Sequence, residues 1–401
     1  MRSGEEDGHA SGLSGGADNI HSVNPIKLEA VELRRIRMPL VAPFETSFGI
    51  QTERDILLLK AITSAGEGWG ECVATEEPTY SSEYVEAAQH VLVHHLLPRL
   101  FETAHLSAAD VAHVLRPVHG HQMAKAAIEM AVLDAQLRAS GESFGHYLGA
   151  VRSEVDCGVS VGIHRSIPEL LQTVGGYLDQ GYRRIKLKIK PGWDLEPVRA
   201  VRERFGDVPL QVDANTAYSL SDAKQLAELD AFDLLLIEQP MPEEQVLAHA
   251  ELAKLVRTPI CLDESITSAQ AAADAIQLGA CQVINIKPGR VGGYLEARRI
   301  HDVCAAQGIP VWMGGMLETG LGRAGNVAMA AMPNFTLPGD TSASDRYYHR
   351  DITEPFVLVE GRLKVPAGPG LGVNVDQEFL AEITSSTETV QPGQRGIRAT
   401  R

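Results

Sequence analysis

Five short apolar runs in the middle of the chain each end on a charged residue, and those residues recur at a nearly constant interval. They are Lys188 in RIKLKIKPG, Asp213 in LQVDAN, Glu238 in LLLIEQP, Asp263 in ICLDES and Lys287 in VINIKPG, spaced 25, 25, 25 and 24 residues apart. That interval is the length of one strand–helix unit. A (β/α)8 barrel presents its chemistry at the C-terminal ends of its strands, so a series of this kind closes into one ring. The ring holds three adjacent carboxylates with a lysine on each flank. It reads as a divalent metal site between two proton-transfer groups.

The surrounding pattern supports a barrel. After about residue 149 the runs VDCGVSVGI, RRIKLKI, PLQVDA, DLLLIEQ, PICLDE, CQVINIK, PVWMGG and FTLPGD alternate with helical patterns such as SIPELLQTVGGYLDQG and SAQAAADAIQLGA. Near-continuous apolar runs suit parallel strands covered on both faces. An open doubly wound sheet is the alternative, because periodicity does not show closure. Earlier, KLEAVELRRIRMPLV and RDILLLKAITSAG alternate as strands do, and helical patterns follow them, which suggests a small α+β domain. The expected division is an α+β cap over 25–124, completed by 355–382, and a barrel over 125–354. Within the last piece, PFVLVEGRLKVPAGPGLGV reads as a hairpin returning to the cap. Residues 1–24 and 383–401, rich in Gly, Ser and other polar residues, read as disordered tails.

Side chains two apart share a face of a strand. Glu238 therefore lies above Leu236 and Leu234, Asp263 above Cys261, and Lys287 above Asn285 and Val283. Carboxylates above apolar neighbours are costly to bury unpaired, and three together repel one another. A hard dication relieves both problems, and an all-oxygen set suits Mg²⁺ or Mn²⁺ better than zinc. Each carboxylate alone is more simply a helix cap or a surface charge; three at one register on consecutive strands are not. A lysine near a dication and a second ammonium has its charged form disfavoured, which moves its pKa toward the working range. Lys188 and Lys287 are thus the acid–base candidates, and Lys186, on the same face as Lys188, a supporting charge beside the substrate. The plainer alternative is that all three lysines only neutralise the acids.

Other classes fit less well. The net charge of −16 repels nucleic acid, and no apolar run is long enough for a membrane span. The N-terminus carries no apolar core of a secretory signal. Five cysteines without a CxxC pair read as free thiols of a cytoplasmic protein. His94, His95, His164 and His301 follow no zinc-site spacing. The GLGRAG of 320–325 matches a dinucleotide fingerprint, but it follows the seventh strand instead of opening a βαβ half. Its backbone N–H groups are better placed to hold a substrate carboxylate.

KLK, DAN, IEQP, LDES and NIKPGRVGG together resemble the muconate-lactonizing subgroup of the enolase superfamily. GGMLETGLGRA and LPGDTSASDRYYHRDI are similar to its o-succinylbenzoate synthase and N-succinylamino acid racemase family. The resemblance implies an α+β capping domain on a (β/α)7β barrel, a modified TIM barrel. It implies Asp213, Glu238 and Asp263 as Mg²⁺ ligands, Lys188 and Lys287 as the acid–base pair, and no organic cofactor. It further implies a small-molecule carboxylate substrate, a homo-oligomer, and either dehydration in menaquinone biosynthesis or racemisation of N-succinylamino acids. Dipeptide epimerases and cycloisomerases of the same superfamily are the alternative, and a silent binding barrel a remote one. Substrate contacts are expected from Ser160 on the first barrel strand, from Asn215, from Gly315 and Met316, and from a lid at 43–55. In that lid Phe44 and Phe48 would form an apolar wall; an ordinary hairpin turn is the alternative.

Overall fold

The computed structural model describes residues 24–393. Strands β1 (Leu28–Thr46), β2 (Gly49–Thr63) and β3 (Gly66–Cys72) form an antiparallel meander that is the core of the cap. The sequence reading missed β3, whose GEGWGEC lacks apolar alternation. Its glycines have a packing reason. The helix Gln122–Ser140 crosses β3 so closely that a Cβ on Gly70 would lie 2.0 Å from the carbonyl oxygen of Ala127, and one on Gly68 2.2 Å from that of Ala131. This helix is apolar nearly all round because it is covered on the cap side and on the barrel side. The expected boundary at residue 124 falls inside it.

Two expectations about the C-terminal region need correction. Thr384–Val390, assigned to a tail, is strand β13 and pairs antiparallel with β1, Val31 opposite Val390. An edge strand is held by backbone hydrogen bonds, so TSSTETV can remain polar and exposed and gives no apolar signal. The segment from 355 also does not return to the cap sheet as a hairpin. Its strand β12 (Arg362–Lys364) pairs with β4 (Glu154–Asp156) at the entry to the barrel. The tails proper, 1–23 and 394–401, lie outside the described residues.

The barrel strands are β5 (Gly158–Val161), β6 (Arg184–Lys188), β7 (Leu210–Asp213), β8 (Ile237–Glu238), β9 (Ile260–Leu262), β10 (Val283–Ile286) and β11 (Val311–Met313), parallel and in chain order. The eighth run makes no regular strand, but it closes the cylinder. On one side the amides of Thr336 and Asp340 donate to Val311 and Met313 at 3.2 and 2.8 Å; on the other, Gly158 donates to the carbonyl of Gly339 at 2.7 Å. Pro338 in this run has no N–H, and a Cβ on Gly339 would sit 2.9 Å from the Met313 carbonyl, so a full ladder cannot form. A closed barrel, and not an open sheet, is the result.

Inside, Leu236, Cys261, Val283 and Trp312 form a small apolar floor. Trp312 donates from Nε1 to Cys261 Sγ at 3.3 Å in this interior. All five cysteines are free and buried.

Candidate active site

The barrel register carries the charged residues to one level. Lys188 pairs with Asp213 across β6–β7, and Asp213 with Glu238 across β7–β8. Asp263 follows the end of β9 and Lys287 the end of β10. All five are buried. In the eight-membered ring β6 and β10 stand four places apart, so Lys188 and Lys287 face each other across the mouth. They line one cavity together with Lys186, Ser160, Asn215, Gly315, Met316, Phe44 and Phe48, which unites every residue expected at the site except the three carboxylates below it.

The carboxylates are paired with cations. Lys188 Nζ lies 2.6 Å from Asp213 Oδ2. Lys186 Nζ reaches Asp213 at 3.2 Å, Glu238 at 3.0 Å and Asp340 at 2.6 Å. Lys287 Nζ lies 2.8 Å and Arg290 Nη2 3.0 Å from the two oxygens of Asp263. Among the described residues, accordingly, no three acids, histidines or cysteines already converge as a metal cluster. Ammonium groups fill the spaces between the carboxylates.

That substitution is incomplete at Glu238. Its Oε1 accepts from Asn285 Nδ2 at 2.7 Å, but Oε2 has no hydrogen bond and only the ion-pair contact of Lys186 at 3.0 Å. Burial, and then the charge of Asp213, push the Glu238 carboxyl well above the usual range. Asp213 and Asp263 are held below that range: burial opposes ionisation, but Lys188 and Lys186 prevail at Asp213, and Lys287 and Arg290 at Asp263. A buried carboxylate oxygen that accepts no hydrogen bond, between two ionised aspartates, is what an oxygen-seeking dication would satisfy. The donor set fits such an ion.

Lys287 is held by its acidic neighbours. Burial disfavours its ammonium, but Asp263, followed by Tyr80, Glu264 and Glu238, raises its pKa well above the ordinary value. A carboxylate in contact outweighs the cost of burial here; the expected lowering concerned a lysine beside a bound dication.

Tyr80, Glu264 and Gln239 were not legible in sequence. Tyr80, from the cap, places its hydroxyl 3.1 Å from Lys287 Nζ and 3.5 Å from Asp263 Oδ1. Asn215, in the left-handed region at φ 41°, accepts from Lys188 at 2.5 Å and donates to Glu264 at 2.9 Å. Glu264 is pushed up to about 8, chiefly by burial and then by Asp263 and Asp213. Gln239 accepts from the amides of Asp263 and Ser265 at 2.9 and 3.2 Å and fixes the turn after β9. The lid is the β1–β2 hairpin turn itself, reaching over the barrel. Ser47 donates to the Asn215 carbonyl at 3.0 Å, and the ring of Phe48 lies 6.0 Å from that of Tyr80.

The expectation that GLGRAG holds a substrate carboxylate does not survive. Its N–H groups already hold carboxylates of the chain. Glu71 of β3 accepts from Thr319 N at 3.0 Å, Thr319 Oγ1 at 2.6 Å and Gly322 N at 2.9 Å, and Asp351 accepts from Gly320 N at 2.8 Å. The glycines serve close packing: a Cβ on Gly325 would lie 2.2 Å from the Tyr294 hydroxyl. Glu71 is pushed up to about 7, mainly by burial, and ties the cap to the barrel.

A cap of this kind over a (β/α)7β barrel, with lysines facing each other across acids at the strand ends, is the architecture of the enolase superfamily. The chain matches the family model for the mandelate racemase / muconate lactonizing enzyme N-terminal domain over residues 30–149 and that for the enolase C-terminal domain-like region over 169–379. An N-succinylamino acid racemase from Amycolatopsis is 69% identical over 90% of this chain and 98% of its own length. An o-succinylbenzoate synthase from Geobacillus kaustophilus is 48% identical over 90% and 96%. The solved structure of an enolase superfamily member from Listeria innocua, 40% identical, covers 91% of this chain and 99% of its own with a TM-score of 0.88. The chain belongs to the o-succinylbenzoate synthase / N-succinylamino acid racemase family of that superfamily.

Proposed function

We propose that this chain removes the proton α to the carboxylate of a small substrate, in a divalent-metal-dependent dehydration to o-succinylbenzoate, a racemisation of N-succinylamino acids, or both. One observation carries the reading: two buried amines, Lys188 and Lys287, line one cavity from strands four places apart in the ring, and each contacts an acid at a strand end, Asp213 at 2.6 Å and Asp263 at 2.8 Å. A planar carbanion-like centre between them can gain or lose a proton on either face. Asp213, Glu238 and Asp263 would hold the cation, Mg²⁺ or Mn²⁺, whose charge stabilises the enediolate form of the substrate carboxylate.

In racemisation one lysine takes the proton and the other returns one to the opposite face. In dehydration Lys188 takes the proton and assists departure of the hydroxyl, and the Lys287 ammonium stabilises the negative charge. Lys186, held by Asp340, keeps positive charge beside Asp213 without needing to move. Tyr80 and Asn215 fix the two amines, and Phe44, Phe48 and Met316 keep water from the reacting centre. We place the enzyme in the cytoplasm as a homo-oligomer; among the described residues no helix is long and apolar enough to cross a membrane.

Incubation with Mg²⁺ in D₂O tests this reading. Both enantiomers of an N-succinylamino acid should take up deuterium at the α-carbon, and the o-succinylbenzoate precursor should lose water. No exchange and no dehydration with either class would remove the proposal.

A further inference from the structure

Arg54 lies in β2 with Glu53 and Asp55 on either side. Alternation sends the two acids to the opposite face, where they meet Arg37 at 3.3 Å and Arg35 respectively. Arg54 points the other way and lines the cavity beside Thr75, Tyr80 and Leu317. Only 2% of it is exposed. Its hydrogen bonds come from Nη2 alone, to the carbonyls of Val73 at 3.2 Å and Ala74 at 3.5 Å; Nε has no partner. Each of the three lysines of the cavity has a carboxylate within 3.2 Å, whereas Arg54 has none within 4.0 Å among the described residues. Other buried guanidiniums also lack an acid, Arg323 among them, but they do not line this cavity.

A buried guanidinium without a counter-anion is costly, and its fork suits a carboxylate. We propose that Arg54 is the subsite for a second anionic group of the substrate, the carboxylate at the far end of a dicarboxylic acyl or side-chain arm, while the reacting carboxylate lies over the acids at the strand ends. This rests on the proposed function and adds to it: a residue of the cap, remote from the proton-transfer lysines, selects doubly anionic substrates. It also requires entry from the lid side, since Arg54 borders both the cavity and the outer cleft between the lid and residues 75–79.

The test compares an N-succinylamino acid with its N-butyryl isostere, in which a methyl group replaces the far carboxylate. In the Mg²⁺-loaded wild type, kcat/KM for α-proton exchange should favour the succinyl compound at least about tenfold, the scale of a charged hydrogen bond. R54Q should lower kcat/KM for the succinyl compound by that factor, mainly through KM, and leave the butyryl compound unchanged; R54K should recover part of the loss. Equal losses on both compounds in R54Q would make Arg54 a support for the 73–75 backbone only and overturn the proposal. So would a wild type indifferent to the two acyl groups. Should neither compound exchange, the proposed function fails, and calorimetric binding of glutarate against butyrate to wild type and R54Q still decides the subsite. A glutarate preference that R54Q abolishes supports it; no preference overturns it.

Discussion

Replacing Lys188 by alanine should lower turnover by about 10²–10⁴-fold, the range for a positioned acid–base group, while leaving the fold intact. Lys287→Ala should have an effect of the same order. The two losses differ in kind. Because β6 and β10 stand opposite in the ring, each lysine serves one face of the α-carbon, so each variant should lose deuterium exchange with one enantiomer and keep some with the other. A silent barrel used for binding would show neither loss. Lysines serving only to neutralise acids would lose both enantiomers equally, along with thermal stability. Far-UV circular dichroism and melting temperature, measured beside exchange, separate these outcomes.

Glu238→Gln should separate function from stability even more sharply. Glu238 is fully buried, with one oxygen that accepts no hydrogen bond and its carboxyl pushed well above the ordinary range. A carboxyl raised on folding binds its proton more tightly in the folded than in the unfolded chain, so stability falls as pH rises from the unfolded value of about 4.3 toward the folded one. Gln keeps an acceptor for Asn285 and removes this burden; Lys186 retains Asp213 and Asp340. In chelator the variant should melt about 1–2 °C higher, corresponding to about 1 kcal/mol, with a flatter dependence on pH. Its activity should fall on the order of 10³-fold, the several kcal/mol that a metal-held charge supplies. A variant that melts lower and keeps its activity would show that Glu238 is a structural acid.

The five central residues were legible because a parallel barrel converts a sequence interval into a spatial ring. An interval of 24 or 25 residues per strand–helix unit, with each charged residue at the end of its strand-like run, leaves few other arrangements. Ser160, Asn215, Gly315, Met316, Phe44 and Phe48 share a cavity because each lies at a strand end or on the lid. What escaped notice depends on docking between distant parts. Tyr80 and Arg54 reach the cavity from the cap, and nothing in TEEPTYSSE or QTERD announces it. The helix N-terminus at Gly320 looked free for a substrate until Glu71, some 250 residues earlier in the chain, proved to occupy it. Strand β13 was missed because a polar edge carries no apolar period.

Titration of the chelator-treated protein with Mn²⁺, read by electron paramagnetic resonance, addresses the core of this account directly. One ion should bind per chain, Mg²⁺ should displace it, and Asp213→Asn combined with Glu238→Gln should abolish binding. Failure of the wild type to take up an ion, or unchanged uptake by the double variant, would contradict the assignment of these acids.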